Sequence, residues 1–146
     1  MVRHAKAGDR GQGVADRERP LSAPGRAQAA ALPAQLAAFP ISSVLSSPFR
    51  RCLETVAPLA GHFGLTVEPA PVLGEGSSLS DVLTLLWSLD AGAVLCSHGD
   101  VIGDLIGELI ELGLISGPEG RAEKASTWAL SLDGVYIKAA RYLPPP

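Results

Sequence analysis

Cysteine is nearly absent from this chain: Cys52 and Cys96 are the two present in 146 residues, far apart and without metal-ligand spacing. That excludes a disulfide-built scaffold and a thiolate metal cluster, and leaves two free thiols in a reducing compartment as the expectation. Histidine numbers three, with no pair at i, i+4, so no metal site is expected. Aromatic residues are scarce (two Trp, two Tyr, three Phe), and the core must be built from Leu, Val, Ile and Ala. Positive charge is not in excess. Twelve Lys and Arg against fifteen Asp and Glu give a net charge of -3, which excludes the broad basic face of a nucleic-acid polymer binder. No run approaches the ~20 apolar residues of a membrane span, and the start is too charged for a secretory leader, so the expected location is cytoplasmic, away from membranes.

What is present is enough for a core: 47% of residues are hydrophobic and 18% charged. A chain of this size makes one domain, residues 1–146, that buries about two-thirds of its unfolded surface. Its arginines gather at Arg17, Arg19, Arg26, Arg50 and Arg51. A local cluster on an acidic protein suits a small phosphorylated ligand.

Apolar periodicity divides the chain into alternating helices and strands. Leu21 to Phe39 carries Ala29, Leu32, Leu36 and Phe39 on one helical stripe, with Pro33 expected to kink or divide it. Ile41 to Ser46 reads as a strand. Ser47-Pro48 then reads as an N-cap and first helical position, followed by the stripe Phe49, Leu53, Val56, Ala60 and Phe63, with Gly64 as C-terminal cap. A short strand is expected over Thr66 to Pro69, and a capping box of Ser78 with Asp81 before a helix to Leu89. Ala93 to Ser97 reads as a buried strand and Gly99 to Leu112 as a helix. Ser126 to Leu132 and Val135 to Tyr142 flank Asp133-Gly134, a hairpin signal, and Pro144 to Pro146 reads as a frayed tail.

Strands alternating with helices imply an α/β layered domain with a mainly parallel sheet, whose ligands bind beyond the carboxyl ends of the strands. Arg3-His4, Ser46-Ser47 and Ser97-His98 all stand at such ends. A neutral imidazole can attack phosphorus, and guanidinium forks hold phosphoryl oxygens. His4 is therefore the candidate nucleophile, with Arg3, Arg51 and His98 around it. Each residue alone has a plainer reading, since a single histidine is more often structural and an arginine near a helix start more often solvated; joint placement at three strand ends carries the argument. His62 reads as a dipole partner at a helix C-terminus, Trp87 and Trp128 as core or pocket wall, and Lys6, Asp9 and Asp16, in the loop after His4, as solvated charges in preference to substrate contacts.

Val2-Arg3-His4-Ala5, Arg-Pro-Leu-Ser at 19–22, Gly25-Arg26-Ala27-Gln28-Ala29, Ser46-Ser47-Pro48 with Arg51, Glu54-Thr55 and Ser97-His98-Gly99 together resemble the histidine phosphatase superfamily. The Arg-His-Ala-Lys-Ala opening is most similar to its small phosphohistidine-phosphatase branch. It also resembles the histidine-phosphatase domain appended to some Nudix hydrolases, to which Lys124 to Leu132 is similar as well. The resemblance implies a phosphoglycerate-mutase-like three-layer α/β/α sandwich, no cofactor, and a phosphohistidine intermediate on His4. It places Arg3, Arg51 and His98 in the phosphate pocket, with Ser47 and Gly99 lining it, and prefers Arg51 over Arg50. It further implies a carboxylic general acid, for which Glu75 is the best match and Asp100 the competitor.

Two features depart from that pattern. Only two residues precede Arg3, so the opening strand reads as truncated, and Ala5 replaces the commoner Gly. No long insertion closes over the site, so an open pocket is expected, fit for a phosphorylated small molecule or a protein phosphohistidine. The expected activity is a metal-independent phosphatase; a mutase or a catalytically idle phosphate-binding module are the alternatives.

Overall fold

The computed structural model describes residues 1–11 and 13–146. Its sheet has the order β3-β2-β4-β1-β5-β6, formed by β1 (Val2–Arg3), β2 (Ser43–Ser46), β3 (Val67–Pro69), β4 (Ala93–Ser97), β5 (Thr127–Asp133) and β6 (Tyr136–Leu143). The first four strands in that order run parallel, and the β5–β6 hairpin is added antiparallel along β1. Strand alternation sends neighbouring residues to opposite faces. Val44, Val94 and Cys96 meet Leu32, Leu36, Val56 and Leu59 of helices α1 (Ala23–Leu36) and α2 (Arg50–His62). Leu45 and Leu95 meet Leu83, Leu86, Ile102, Leu105 and Leu109 of α3 (Leu79–Trp87) and α4 (Gly99–Glu111). The result is the expected α/β/α sandwich. Among the described residues no helix is long and apolar enough to cross a membrane.

Several local expectations are corrected. Helix α1 runs unbroken through Pro33, capped by Ser22, whose side chain accepts the Gly25 N–H at 3.2 Å. Helix α2 begins at Arg50 with Phe49 as its N-cap, not at Pro48. The Ser47 hydroxyl is engaged elsewhere, 2.8 Å from His98 Nε2, although it still accepts the Phe49 N–H at 3.3 Å. Strand β2 starts at Ser43 because Ile41 turns back onto the Phe39 carbonyl. Ser78 caps α3 as expected, accepting the Asp81 N–H, but the Asp81 carboxylate accepts the Ser78 hydroxyl and not its backbone N–H. The tail is tied down at Pro144, whose carbonyl accepts from Gln35 Nε2. Trp128 is core, whereas Trp87 is 40% exposed. The hairpin forms as read: Gly134 adopts φ +58° beside Asp133, and a bulge follows Ser131.

One glycine fixes how closely α1 approaches the loop after His4. A Cβ on Gly25 would lie 1.9 Å from the Lys6 carbonyl oxygen, and Ser22 locks the same carbonyl through its N–H and its hydroxyl, both at 2.9 Å. Because the obstacle is backbone on both sides, Gly25→Ala is expected to lower stability by about 1–3 kcal/mol, as overpacking does. A reduced urea midpoint at unchanged slope would show it; an unchanged midpoint would mean that the loop yields freely.

Candidate active site

The carboxyl ends of β1, β2 and β4 converge on one hollow. His4 follows β1 and donates its backbone N–H to the Ser97 carbonyl at 3.0 Å; Ser47 follows β2 and donates to the Cys96 carbonyl at 2.9 Å. The rings of His4 and His98 lie edge to face, 5.4 Å between centroids. His4 is 3% exposed, and its Nδ1 is 2.8 Å from the Ala5 carbonyl. A carbonyl only accepts, so Nδ1 carries the proton and Nε2 the lone pair. Burial, followed by the nearby Lys124 charge, pushes the His4 pKa down to about 2, so the ring is neutral at any ordinary pH.

Arg51 is fully buried. Its Nη1 donates to the Asp16 carbonyl at 2.8 Å and to Asp16 Oδ2 at 2.9 Å, and its Nη2 donates to Glu75 Oε2 at 2.9 Å. Nη2 also lies 3.1 Å from His98 Nδ1. A guanidinium only donates, so this contact assigns the His98 proton to Nε2, which gives it to Ser47 Oγ. The Phe49 ring lies under Arg51 with its centroid 4.6 Å from Cζ.

Arg3 donates to the Ala122 carbonyl, and its guanidinium lies against Gly99, where a Cβ would come within 2.6 Å of Nη2. Gly99 leaves room for the Arg3 guanidinium, which a Cβ there would push aside. Among the described residues, no protein group accepts from the buried Nε of Arg3 or of Arg51. Two guanidinium N–H groups are available to an anion.

The motif residues of unclear purpose act as ties. Thr55 Oγ1 accepts the Ala5 N–H at 2.9 Å and donates to the Arg51 carbonyl at 2.6 Å, joining the segment after His4 to the turn that carries Arg51. Glu54 accepts the Leu21 N–H at 2.7 Å and pairs with Arg50 at 2.6 Å. Arg50 therefore points out of the site and Arg51 into it.

Sequence reasoning missed two site groups. Asp16 is no free surface charge: it holds Arg51 and, at 2.9 Å, Arg19. Lys124 places Nζ 3.1 Å from His4 Nε2. Lys6 and Asp9 remain in the loop after His4, and His62 lies in the last turn of α2 against Phe63. Asp100 accepts the Gly76 N–H at 2.6 Å. Burial would raise its pKa, but the N–H groups of Gly76 and of its own helix start hold the carboxyl below the usual range.

Residues 1–78 match the family model described as histidine phosphatase superfamily (branch 1). The chain belongs to the histidine phosphatase superfamily. A curated relative from Mycolicibacterium smegmatis, named 8-oxo-(d)GTP phosphatase, is 35% identical over 153 residues; the match takes in 100% of this chain but 48% of the relative, so the chain spans about half that protein's length. The fold of the superfamily is shared with SixA of Agrobacterium tumefaciens at TM-score 0.81 and 21% identity, covering 99% of this chain and 96% of that one. The protein histidine phosphatase SixA complexed with tungstate gives TM-score 0.77 at 22% identity, covering 97% and 91%.

Proposed function

We propose that this histidine phosphatase hydrolyses phosphomonoesters or phosphohistidine without a metal, through a phosphoryl group carried on His4. The observation that carries the reading is the state of His4: a neutral ring, fixed through Nδ1 to the Ala5 carbonyl, with its Nε2 lone pair facing a cation cluster. In the first step Nε2 bonds to phosphorus as the phosphorus–leaving-group bond breaks. The Nε groups of Arg3 and Arg51 bind phosphoryl oxygens, and His98 steadies Ser47 and Arg51 beside them. In the second step water attacks phosphorus, the phosphorus–nitrogen bond breaks, and inorganic phosphate leaves.

Glu75, whose Oε2 accepts from Arg51 Nη2 at 2.9 Å, gives a proton to the leaving ester oxygen in the first step and takes one back from the attacking water in the second. Asp100 is engaged elsewhere, its carboxylate accepting the Gly76 N–H at 2.6 Å. A phosphohistidine substrate needs less help, since a protonated imidazole leaves readily. The name of the M. smegmatis relative makes a nucleotide phosphate the small-molecule substrate to try first.

Turnover of p-nitrophenyl phosphate in EDTA, with a rapid acid-free quench, tests the mechanism. The expected result is chelator-resistant hydrolysis and a base-stable, acid-labile phosphate on the peptide containing residue 4. Abolition by EDTA, or phosphate on another residue type, would overturn it.

A further inference from the structure

The segment that delivers Lys124 is stitched onto β1. Arg3 donates its side chain to the Ala122 carbonyl and its backbone N–H to the Ser126 carbonyl at 3.0 Å. The Ala125 N–H is directed at the carbonyls of Arg3 (3.1 Å) and His4 (3.3 Å). The Gln28 amide secures the Lys124 carbonyl at 3.3 Å. Between them Ala125 is fully buried at φ +67°, the single non-glycine residue among those described to adopt a positive φ. A side chain in that region is held there only when the surroundings impose it. Here the imposed turn sets Lys124, the preceding residue, against the nucleophile.

From this geometry we propose that Lys124 is a catalytic residue, the cation that takes up the phosphoryl oxygens as phosphorus bonds to His4. The proposal rests on the phosphohistidine reading above. Nε2 of His4 has one lone pair, which accepts from the Lys124 ammonium 3.1 Å away. Phosphorus and Lys124 cannot both use that lone pair. When the nitrogen–phosphorus bond forms, the ammonium is displaced by a short distance, and the oxygens newly carried on Nε2 are its nearest acceptors. The position also decides which oxygens. In an in-line displacement the leaving group departs on the side of phosphorus opposite the nucleophile. A cation beside Nε2 therefore meets the non-bridging oxygens, so it stabilises charge and leaves proton delivery to Glu75. In the second step water enters from that far side, Lys124 holds the same oxygens, and returns to Nε2 when phosphate leaves.

The electrostatics agree. Burial first, then the charges of Arg3, Arg51 and Arg19, push the Lys124 pKa down to about 8, with Cys52 opposing. The neutral His4 ring, Arg3 from β1, Arg51 and Cys52 from α2, and Arg19 from the loop are the groups facing it, while Asp16 and Glu75 are engaged by Arg51. A phosphoryl dianion relieves this crowding of cations. Lys124 is charged below about pH 8 and loses its proton as pH rises through that value, so the wild-type enzyme should lose kcat/KM above about pH 8.

The test compares wild type, Lys124→Met and Lys124→Arg on p-nitrophenyl phosphate across pH, with rapid-quench measurement of phosphohistidine. Lys124→Met should lower kcat/KM about 100-fold, the effect of removing one transition-state donor. It should also slow appearance of the adduct and weaken inhibition by inorganic phosphate. Lys124→Arg should restore most of the rate and shift the alkaline fall upward, because a guanidinium stays charged. A structural lysine would not move that pH limb. Normal adduct formation in both wild type and Lys124→Met, or an unmoved limb in Lys124→Arg, overturns the assignment of Lys124 alone. Wild type that turns over without any phosphohistidine overturns the mechanism and the lysine's role with it.

Discussion

His4→Ala is expected to cut turnover of p-nitrophenyl phosphate by about 10⁴–10⁶-fold, the scale of losing an attacking group, while inorganic phosphate or tungstate still binds. The two halves follow from separate atoms. In the proposed mechanism Nε2 of His4 bonds to phosphorus, and among the described residues no second free imidazole nitrogen stands beside it, since His98 has its Nδ1 engaged by Arg51 and its Nε2 by Ser47. Anion binding, by contrast, depends on Arg3, Arg51 and Lys124, all of which remain. Because His4 is neutral down to about pH 2, any acid limb in the wild-type profile belongs to the substrate or to another group. Calorimetric binding of tungstate beside steady-state rates separates the two effects. A variant within tenfold of wild-type turnover would sink the nucleophile assignment. One that has lost tungstate binding as well would mean that the ring shapes the hollow.

The strand ends were legible because each is a short apolar run broken by a polar residue. Val2-Arg3-His4 and Leu95-Cys96-Ser97-His98 announce both the buried strand and the point where it surfaces. The parallel arrangement and the hairpin at Asp133-Gly134 followed from the same patterning. Ser47-Pro48 misled for a physical reason: a serine hydroxyl before proline caps a helix unless a stronger claim exists, and here His98 makes one, so the helix starts at Arg50. Glu54 and Thr55 stood in the sequence as motif letters, and only the fold shows Thr55 bridging the His4 and Arg51 segments. Asp16 and Lys124 were hidden because periodicity reports which face of an element is buried, not which loops meet. Lys124 reaches His4 from 120 residues away through a turn at Ala125 that no propensity favours.

Arg51→Lys separates catalysis from stability. A buried arginine looks like a stability element, and removing one partner of a fully buried pair costs about 3–5 kcal/mol. Its carboxylate partners are not fully buried: the Asp16 and Glu75 side chains are 39% and 40% exposed. Water can take up both, and a lysine stem keeps much of the packing over Phe49. Because the Arg51 end of the pair is itself buried, the expected stability change is about 1–3 kcal/mol, below the cost for a fully buried pair, a melting shift of several degrees. The loss should fall on the chemistry. An ammonium cannot reproduce a fork that holds Asp16, Glu75 and His98 Nδ1 at once while offering Nε to a phosphoryl oxygen. Turnover is expected to fall about 10²–10³-fold, with Glu75 and His98 both released from their shared anchor. Scanning calorimetry beside kcat/KM reads the split. Near-wild-type turnover would remove Arg51 from the phosphate pocket, and a rate loss that merely tracks unfolding would reduce it to a scaffold residue.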